Sequence, residues 1–377
     1  MERLVVPQGQ FTLRRFPLRR RETLRAWDAA DEYLLHHLAE EGLPRAGSAL
    51  LICHDAFGAL GTALAKQRPQ LLGDSHLAQR AAVENLRGNG LAVEQIRLLS
   101  SLQAPAGPLD LVLFKVPKSL ALLRDTLQRL RPLMHAGTRI IGAGMARDIH
   151  ASTLAWCGRL IGPTRTSLAR KKARLIYCQF EASLDPGPNP YPSQYRLEGS
   201  DWLLSNHAHV FSRSGLDAGT GLLLDYIPAS GKALNMADLG CGNGAVGLVA
   251  AKRNPEAELI FVDESFMAVE SARDNFQRVF GATRRARFRV GDGLQGIAPQ
   301  SVDLVLNNPP FHQQRAVDDA VAWRMFGQAA GALVRGGQLW VVGNRHLGYH
   351  VKLKRLLGNC KVVGSNRKFV VLKALKR

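Results

Sequence analysis

The sequence has 377 residues, 46% apolar and 21% charged, which is typical of a soluble globular protein long enough for two domains. Its 50 Lys and Arg residues outnumber 31 Asp and Glu residues, and the net charge of +19 predicts a polyanionic partner. No apolar run approaches the length of a membrane span, and no apolar N-terminal core indicates a signal peptide, so we expect a cytoplasmic protein with no membrane partner.

The cysteines are scattered along the chain without the paired spacing of a metal site or a disulfide framework. They stand at positions 53, 157, 178, 241 and 360. This distribution predicts no metal ion and favours a reducing compartment. No motif indicates an obligate protein partner.

The first half of the chain alternates between helix and strand patterns. Basic sequence at 14–21 precedes a predicted helix whose apolar face runs from Trp27 to Leu38 at three- and four-residue spacing. Buried strands are predicted at 49–53 and within 109–117, with helical sequence between them. Such alternation indicates a parallel α/β sheet.

A proline-rich stretch separates the two halves. Residues 185–193 contain four prolines, which exclude a helix or a central strand and indicate a linker. We therefore expect an N-terminal domain over 1–185, a linker over 186–196 and a C-terminal domain over 197–377.

The second half opens with a candidate ligand site. A strand pattern at 234–239 leads into the glycine-rich turn 240–247 and then a helix. Glycine lets a backbone fold tightly and approach a ligand, and ligands of open α/β sheets lie at the carboxyl ends of such strands. The next strand, 258–262, ends in Asp263 and Glu264, where a carboxylate can accept from both hydroxyls of a ribose.

A later strand, 302–306, ends in Asn308-Pro309-Pro310-Phe311. The two prolines impose extended backbone and remove two N–H donors. The Asn308 oxygen and the Pro309 carbonyl remain as acceptors, and Phe311 adds a flat apolar face. This set suits a planar amino group, because two acceptors localise its lone pair and stabilise the positive charge that develops on attack. The alternative is that the stretch is only a strand exit.

The two halves look like an internal duplication. The predicted correspondences are 55–61 with 238–244, Asp74 with Asp263, Lys115 with Asn308 and 171–178 with 367–373. The first copy has lost most of the glycines and carries a donor, Lys115, in place of the acceptors. We therefore expect it to be catalytically inactive.

These motifs resemble a known family. Residues 236–244 resemble the cofactor loop of class I S-adenosylmethionine methyltransferases, and 308–311 resemble their amino-methylating signature. With 211–217, the pattern resembles bacterial ribosomal RNA guanine-N2 methyltransferases, and 26–35 and 311–316 are most similar to the large-subunit members. The resemblance covers nearly the whole chain. It implies an α/β fold of two tandem class I methyltransferase-like (Rossmann-type) domains, the first degenerate and the second catalytic, with S-adenosylmethionine as cofactor and 23S ribosomal RNA as partner.

The resemblance also implies roles for individual residues. The expected catalytic residues are Asn308, Pro309 and Phe311. The expected cofactor-binding residues are Asp238, Gly240, Gly242, Gly244, Asp263, Glu264, Asp292 and Asp217. Among them, Asp238 would accept from the methionine amino group, Asp292 would lie near the adenine amino group, and Asp217 would lie at the methionine end.

Basic clusters on the first domain predict an RNA-binding surface. The expected contacts are Arg19, Arg20, Arg21, Arg170, Lys171 and Lys172. The alternative is that the first domain only supports the second.

Other functions remain open from the residues. The acceptors also suit adenine N6 or a protein glutamine amide, and resemblance alone selects guanine, of large- or small-subunit ribosomal RNA. Residues 242–247, with Asp263 beyond, also fit the dinucleotide fingerprint of nicotinamide enzymes, but the signature offers only His312 as a proton shuttle. A non-catalytic RNA-binding assembly factor is a further alternative.

Overall fold

The computed structural model describes residues 3–18, 22–43, 47–232, 234–310 and 315–377, and the side chains of 319–377 in the last range. Phe311 and the run Arg19, Arg20 and Arg21 lie outside the described residues. The chain divides into two compact units, Met1–Tyr191 and Pro192–Arg377, whose boundary falls inside the stretch predicted as a linker. In the ranges above, no helix is both long and apolar enough to cross a membrane.

The N-terminal unit is built on a seven-stranded sheet and a short hairpin. Its elements are β1 (Leu4–Val6), β2 (Gly9–Phe11), α1 (Ala29–Glu41), β3 (Leu50–Cys53), α2 (Ala59–Ala63), β4 (Gln70–Gly73), α3 (His76–Gly88), β5 (Arg97–Ser100), β6 (Leu111–Lys115), α4 (Leu120–Leu130), β7 (Arg139–Met145), α5 (Ala151–Leu160), β8 (Thr164–Thr166) and β9 (Ala173–Cys178). Helix α1 begins after Trp27 because Asp28 caps it, accepting from the backbone of Ala30 and Asp31.

The C-terminal unit repeats this plan. Its elements are β10 (Ser193–Arg196), β11 (Leu203–Asn206), α6 (Ala218–Tyr226), β12 (Asn235–Leu239), α7 (Ala245–Arg253), β13 (Glu258–Asp263), α8 (Phe266–Phe280), β14 (Ala286–Val290), β15 (Val302–Asn307), α9 (Arg315–Ala332), β16 (Leu333–Asn344), α10 (Tyr349–Leu357), β17 (Lys361–Ser365) and β18 (Phe369–Leu375).

Both seven-stranded sheets have the same strand order. The order is β5-β4-β3-β6-β7-β9-β8 in the first unit and β14-β13-β12-β15-β16-β18-β17 in the second, and all strands run parallel except β9 and β18, each of which is antiparallel to both of its neighbours. Alternate strand residues enter two cores, one on each face of the sheet. Leu50 and Ile52 pack with α1 to α3, whereas Leu51 and Cys53 pack with α4 and α5. The predicted α/β fold of two Rossmann-type domains is confirmed.

The strand register corrects the predicted correspondence of the glycine loops. Cys53 pairs with Phe114 as Leu239 pairs with Asn307, so Lys115 does stand where Asn308 stands. Ile52 therefore occupies the place of Asp238, and the prediction that Asp55 does so was wrong. Gly58, rather than Gly61, matches Gly244, since each is the left-handed residue that starts the next helix.

The correspondence predicted for Asp74 was wrong by one position. Leu72 pairs with Cys53 as Val262 pairs with Leu239, which aligns Gly73 with Asp263 and Asp74 with Glu264. The serines that follow cap α3 and α8 in the same way. The first copy therefore lacks both carboxylates that the second copy offers at Asp238 and Asp263.

Candidate active site

Four adjacent strands of the C-terminal sheet deliver the predicted site residues to one edge. The order β14-β13-β12-β15 is parallel throughout, so the carboxyl ends of these strands lie side by side. Asp292 follows β14, Asp263 ends β13, Gly240 follows β12 and Asn308 follows β15. The topology thus brings together residues that the sequence separates widely.

The glycine-rich turn is shaped around the Asp238 carboxylate. Gly240 has φ 76° and Gly244 has φ 85°, a left-handed backbone that only glycine adopts without strain. Asp238 is buried, and its Oδ2 accepts from the backbone N–H of Gly247 at 2.8 Å. Burial raises the pKa of Asp238 to about 7, with Asp263 adding to the effect. A cationic ligand at this turn would favour the ionised carboxylate.

Asp263 holds the other side of the same turn. Its Oδ2 accepts from the N–H of Gly242 at 3.0 Å, and its Oδ1 accepts from the N–H of Ser265 at 3.0 Å. Asp263 and Glu264 are both partly exposed at the carboxyl end of β13. This placement is compatible with the predicted role of Asp263 toward a ribose.

A buried amide network that the sequence analysis missed anchors the turn. Asn243 Nδ2 donates to Asn206 Oδ1 at 2.8 Å and to the Tyr195 hydroxyl at 3.0 Å. Asn275 on α8 donates to the Asn243 carbonyl at 3.0 Å and is itself buried. The only sequence signal was the position of Asn243 between two glycines, because its partners lie on distant elements.

The end of β15 presents two side-chain acceptors to which none of the described residues donates. Asn307 is fully buried and its Nδ2 donates to the Leu239 carbonyl at 2.6 Å, tying β15 to β12. Asn308 Nδ2 donates to Thr220 Oγ1 at 2.8 Å. The Oδ1 atoms of both asparagines are buried, and no described residue donates to either. Pro309 is buried beside them. Buried acceptors without donors are costly, so this edge suits a ligand that brings N–H groups or positive charge.

Two predicted cofactor residues make contacts within the protein. Asp217 caps α6, with its Oδ2 accepting from the Thr220 N–H at 2.9 Å. Asp292 forms an ion pair with Arg324 of α9, with 3.1 Å between Oδ1 and Nε. The cofactor roles assigned to both residues stay predictions.

The corresponding edge of the N-terminal unit is closed by an ion cluster. Lys115 Nζ lies 2.7 Å from Asp28 Oδ1 and 2.7 Å from Asp31 Oδ1. Burial opposes the charge of Lys115, but the two carboxylates outweigh burial and raise the pKa of the ammonium. Asp55 accepts from the backbone of Ala59 and Gly61. The carboxylates of Asp28, Asp31 and Asp55 therefore all make contacts within the protein.

The three predicted RNA-binding residues that the structure describes, Arg170, Lys171 and Lys172, are exposed, but two of them are paired. Lys171 Nζ lies 2.9 Å from Glu32 Oε2, and Arg170 lies 3.6 Å from Glu40 Oε1. Lys172 is also exposed. Acidic residues of α1 therefore reduce the net positive charge of this surface.

Comparison with known proteins agrees with the two-unit architecture. Residues 1–182 match the family described as RLMG N-terminal domain, and residues 201–373 match the Methyltransferase small domain. A solved structure of the T. thermophilus 16S rRNA N2 G1207 methyltransferase, in complex with AdoMet and guanosine, is similar to this fold. It has a TM-score of 0.74 and 22% identity, covering 100% of this chain and 98% of that one.

Two curated relatives, each named Ribosomal RNA large subunit methyltransferase G, match along the full length. The protein of Streptomyces avermitilis is 52% identical over 379 residues, covering 99% of each chain. The protein of Pseudomonas paraeruginosa is 51% identical over 379 residues, covering 100% of each. Since this similarity extends across both units, the chain belongs to the ribosomal RNA large subunit methyltransferase G family.

Proposed function

We propose that this protein transfers a methyl group from S-adenosylmethionine to the exocyclic N2 amino group of a guanine in 23S ribosomal RNA, in the cytoplasm. The observation that carries the proposal is the buried Asn308 Oδ1 beside a glycine-rich turn lined by carboxylates. No described residue donates to this oxygen, and such an acceptor is what an amino nucleophile requires. The family membership supports the ribosomal RNA substrate.

The residues present fit S-adenosylmethionine. Asp238 and Asp263 would hold it at the glycine turn, where Gly240 lets the backbone approach: a Cβ there would lie 3.2 Å from Met325 Cε and 3.9 Å from the Asn308 carbonyl. When bound, it supplies an electrophilic methyl group. The carboxylates favour its positive charge.

The acceptors at the end of β15 act on the nucleophile. Asn308 Oδ1 and the Pro309 carbonyl each accept one amino proton of the guanine, which localises the nitrogen lone pair. As the N–C bond forms and the methyl–sulfur bond breaks, with the electron pair staying on sulfur, these oxygens stabilise the positive charge on nitrogen, and the extra proton then leaves to water. A paired guanine must be unstacked to reach them, so an RNA loop or helix end is the expected target.

A methylation assay tests this function directly. The purified protein is incubated with methyl-labelled S-adenosylmethionine and unmodified 23S or 16S ribosomal RNA, which is then digested to nucleosides. Label in N2-methylguanosine from 23S RNA is the expected result. Label in N6-methyladenosine or only in 16S RNA would overturn the target, and RNA binding without label would favour an assembly factor.

Replacing Asp263 with alanine is expected to weaken S-adenosylmethionine binding about tenfold to a hundredfold, because a charged acceptor is lost and Gly242 loses its hydrogen bond. Isothermal titration calorimetry measures the dissociation constant. Asp263→Asn, which keeps the side-chain shape, should be less impaired, and Asp201→Ala, at a fully exposed carboxylate, should bind normally. Unchanged affinity in Asp263→Ala would contradict the assignment.

We further propose that the N-terminal unit binds RNA through Arg170, Lys171 and Lys172. Replacing all three with glutamine should reduce the slope of the logarithm of RNA affinity against the logarithm of salt concentration by about one to two. The change is smaller than for three unpaired cations, since two of the residues already pair with carboxylates. The matched control replaces three exposed arginines elsewhere, Arg87, Arg147 and Arg285, for the same change in charge. Equal losses in both variants, measured by salt-dependent fluorescence anisotropy, would show an effect of net charge alone.

A further inference from the structure

The Asn308 amide is held from one side by helix α6. Thr220, the third residue of α6, is buried, and its Oγ1 accepts from Asn308 Nδ2 at 2.8 Å. The same Oγ1 donates along a longer contact of 3.4 Å to Asp217 Oδ2, while the Thr220 N–H donates to that oxygen at 2.9 Å. A continuous polar chain thus runs from Asp217 through Thr220 to Asn308.

The direction of this chain determines which face of the amide reaches the ligand. The Asp217 carboxylate can only accept, so the Thr220 hydroxyl hydrogen points toward it. The Thr220 oxygen then has only lone pairs for Asn308, and the amide must offer its NH₂ side. Asn308 Oδ1 is thereby directed away from α6, where it is buried and receives no hydrogen bond from a described residue.

The N-terminal unit uses the same three positions. Asp28 caps α1 as Asp217 caps α6, and Asp31 is the third residue of α1 as Thr220 is of α6. Lys115, at the place of Asn308, contacts both acids at 2.7 Å. In both copies the fold therefore places the third residue of a capped helix against the residue at the carboxyl end of the fourth strand, and the two residues make a polar contact.

We propose that Thr220 is a positioning residue that orients the Asn308 amide with its oxygen toward the substrate amino group. This inference rests on the proposed function. A hydroxyl at residue 220 is required, whereas the threonine methyl group is not. Without the hydroxyl, Asn308 loses its only described acceptor for Nδ2, and its amide can rotate. The amide NH₂ would then face the substrate amino group, and two donors cannot form a hydrogen bond with each other.

Thr220→Val, which removes the hydroxyl and keeps the shape, should lower kcat about tenfold or more and leave the S-adenosylmethionine dissociation constant unchanged. Thr220→Ser should restore most of the activity. In an Asn308→Ala background, Thr220→Val should cause no additional loss, because Thr220 acts through Asn308. An equal loss in both backgrounds would overturn the proposal, as would full activity of Thr220→Val.

The matched control is Thr62→Val in the N-terminal unit. Thr62 is also buried, and its hydroxyl has no partner among the described residues, so its removal should leave kcat unchanged and should not lower thermal stability.

A readout without methyl transfer separates this inference from the proposed function. In protein labelled with ¹⁵N-asparagine, the Asn308 NH₂ signal is assigned by its absence in Asn308→Ala. Its proton shift should move in Thr220→Val and stay near the wild-type value in Thr220→Ser. An unmoved signal in Thr220→Val would overturn the inference. If the wild-type protein methylates no RNA and the Asn308 NH₂ signal still moves in Thr220→Val, only the proposed function is refuted.

Discussion

Asn308→Ala is expected to lower kcat for methyl transfer by about a hundredfold to a thousandfold, because enzymes typically lose this much when one preorganised group that stabilises charge in the transition state is removed. The variant removes the buried Oδ1 that accepts the amino proton, together with the contact to Thr220. Binding of S-adenosylmethionine should change little, because Asp238 and Asp263 remain. Single-turnover methylation and calorimetry measure the two quantities separately.

The matched control for Asn308 is Asn235→Ala. Asn235 is an exposed asparagine that begins β12, at the opposite end of the sheet from the candidate active site. Its loss should affect neither kcat nor cofactor binding. If Asn308→Ala kept nearly full activity, the assignment of the Asn308-Pro309 signature to catalysis would be wrong.

Lys115→Met is expected to destabilise the N-terminal unit by about 3–5 kcal/mol, because it leaves buried Asp31 beside Asp28 without a cation. Burial already raises the pKa of Asp31 to about 7 in the presence of Lys115, and loss of this cation raises it further above the unfolded value. The loss of stability therefore appears above the unfolded pKa and is relieved as the pH falls and Asp31 takes up a proton.

Native-state hydrogen exchange measures this change unit by unit. Amides of α1 and β6 should lose protection in Lys115→Met, whereas amides of β12 and β15 should not. The control variant adds Asp28→Asn and Asp31→Leu to Lys115→Met, which removes the unpaired charges and should recover most of the stability. A single variant as stable as the wild type would show that the ion cluster contributes nothing to folding.

The duplicated plan was predictable because each copy repeats the same local signals. Apolar strands such as 49–53 and 302–306 alternate with helical patterns, and only a parallel sheet with helices on both faces buries such strands completely. The alignment of Lys115 with Asn308 was also correct, since each stands at the carboxyl end of an apolar strand that pairs with the first strand of its sheet in the same register. The alignment of Asp55 with Asp238 failed because it matched residue types, whereas the hydrogen-bond register matches Ile52 with Asp238.

The architecture, the glycine turn at 240–247 and the acceptors after β15 could be predicted from local sequence, because propensity, periodicity and proline chemistry act over a few neighbouring residues. The side chains that complete the site could be identified only in the folded chain. Thr220 and Asn308 are 88 residues apart along the chain, and Asn243 and Asn275 are 32 apart. Such pairs leave no local pattern in the sequence, because the two residues meet only when the helices pack against the assembled sheet.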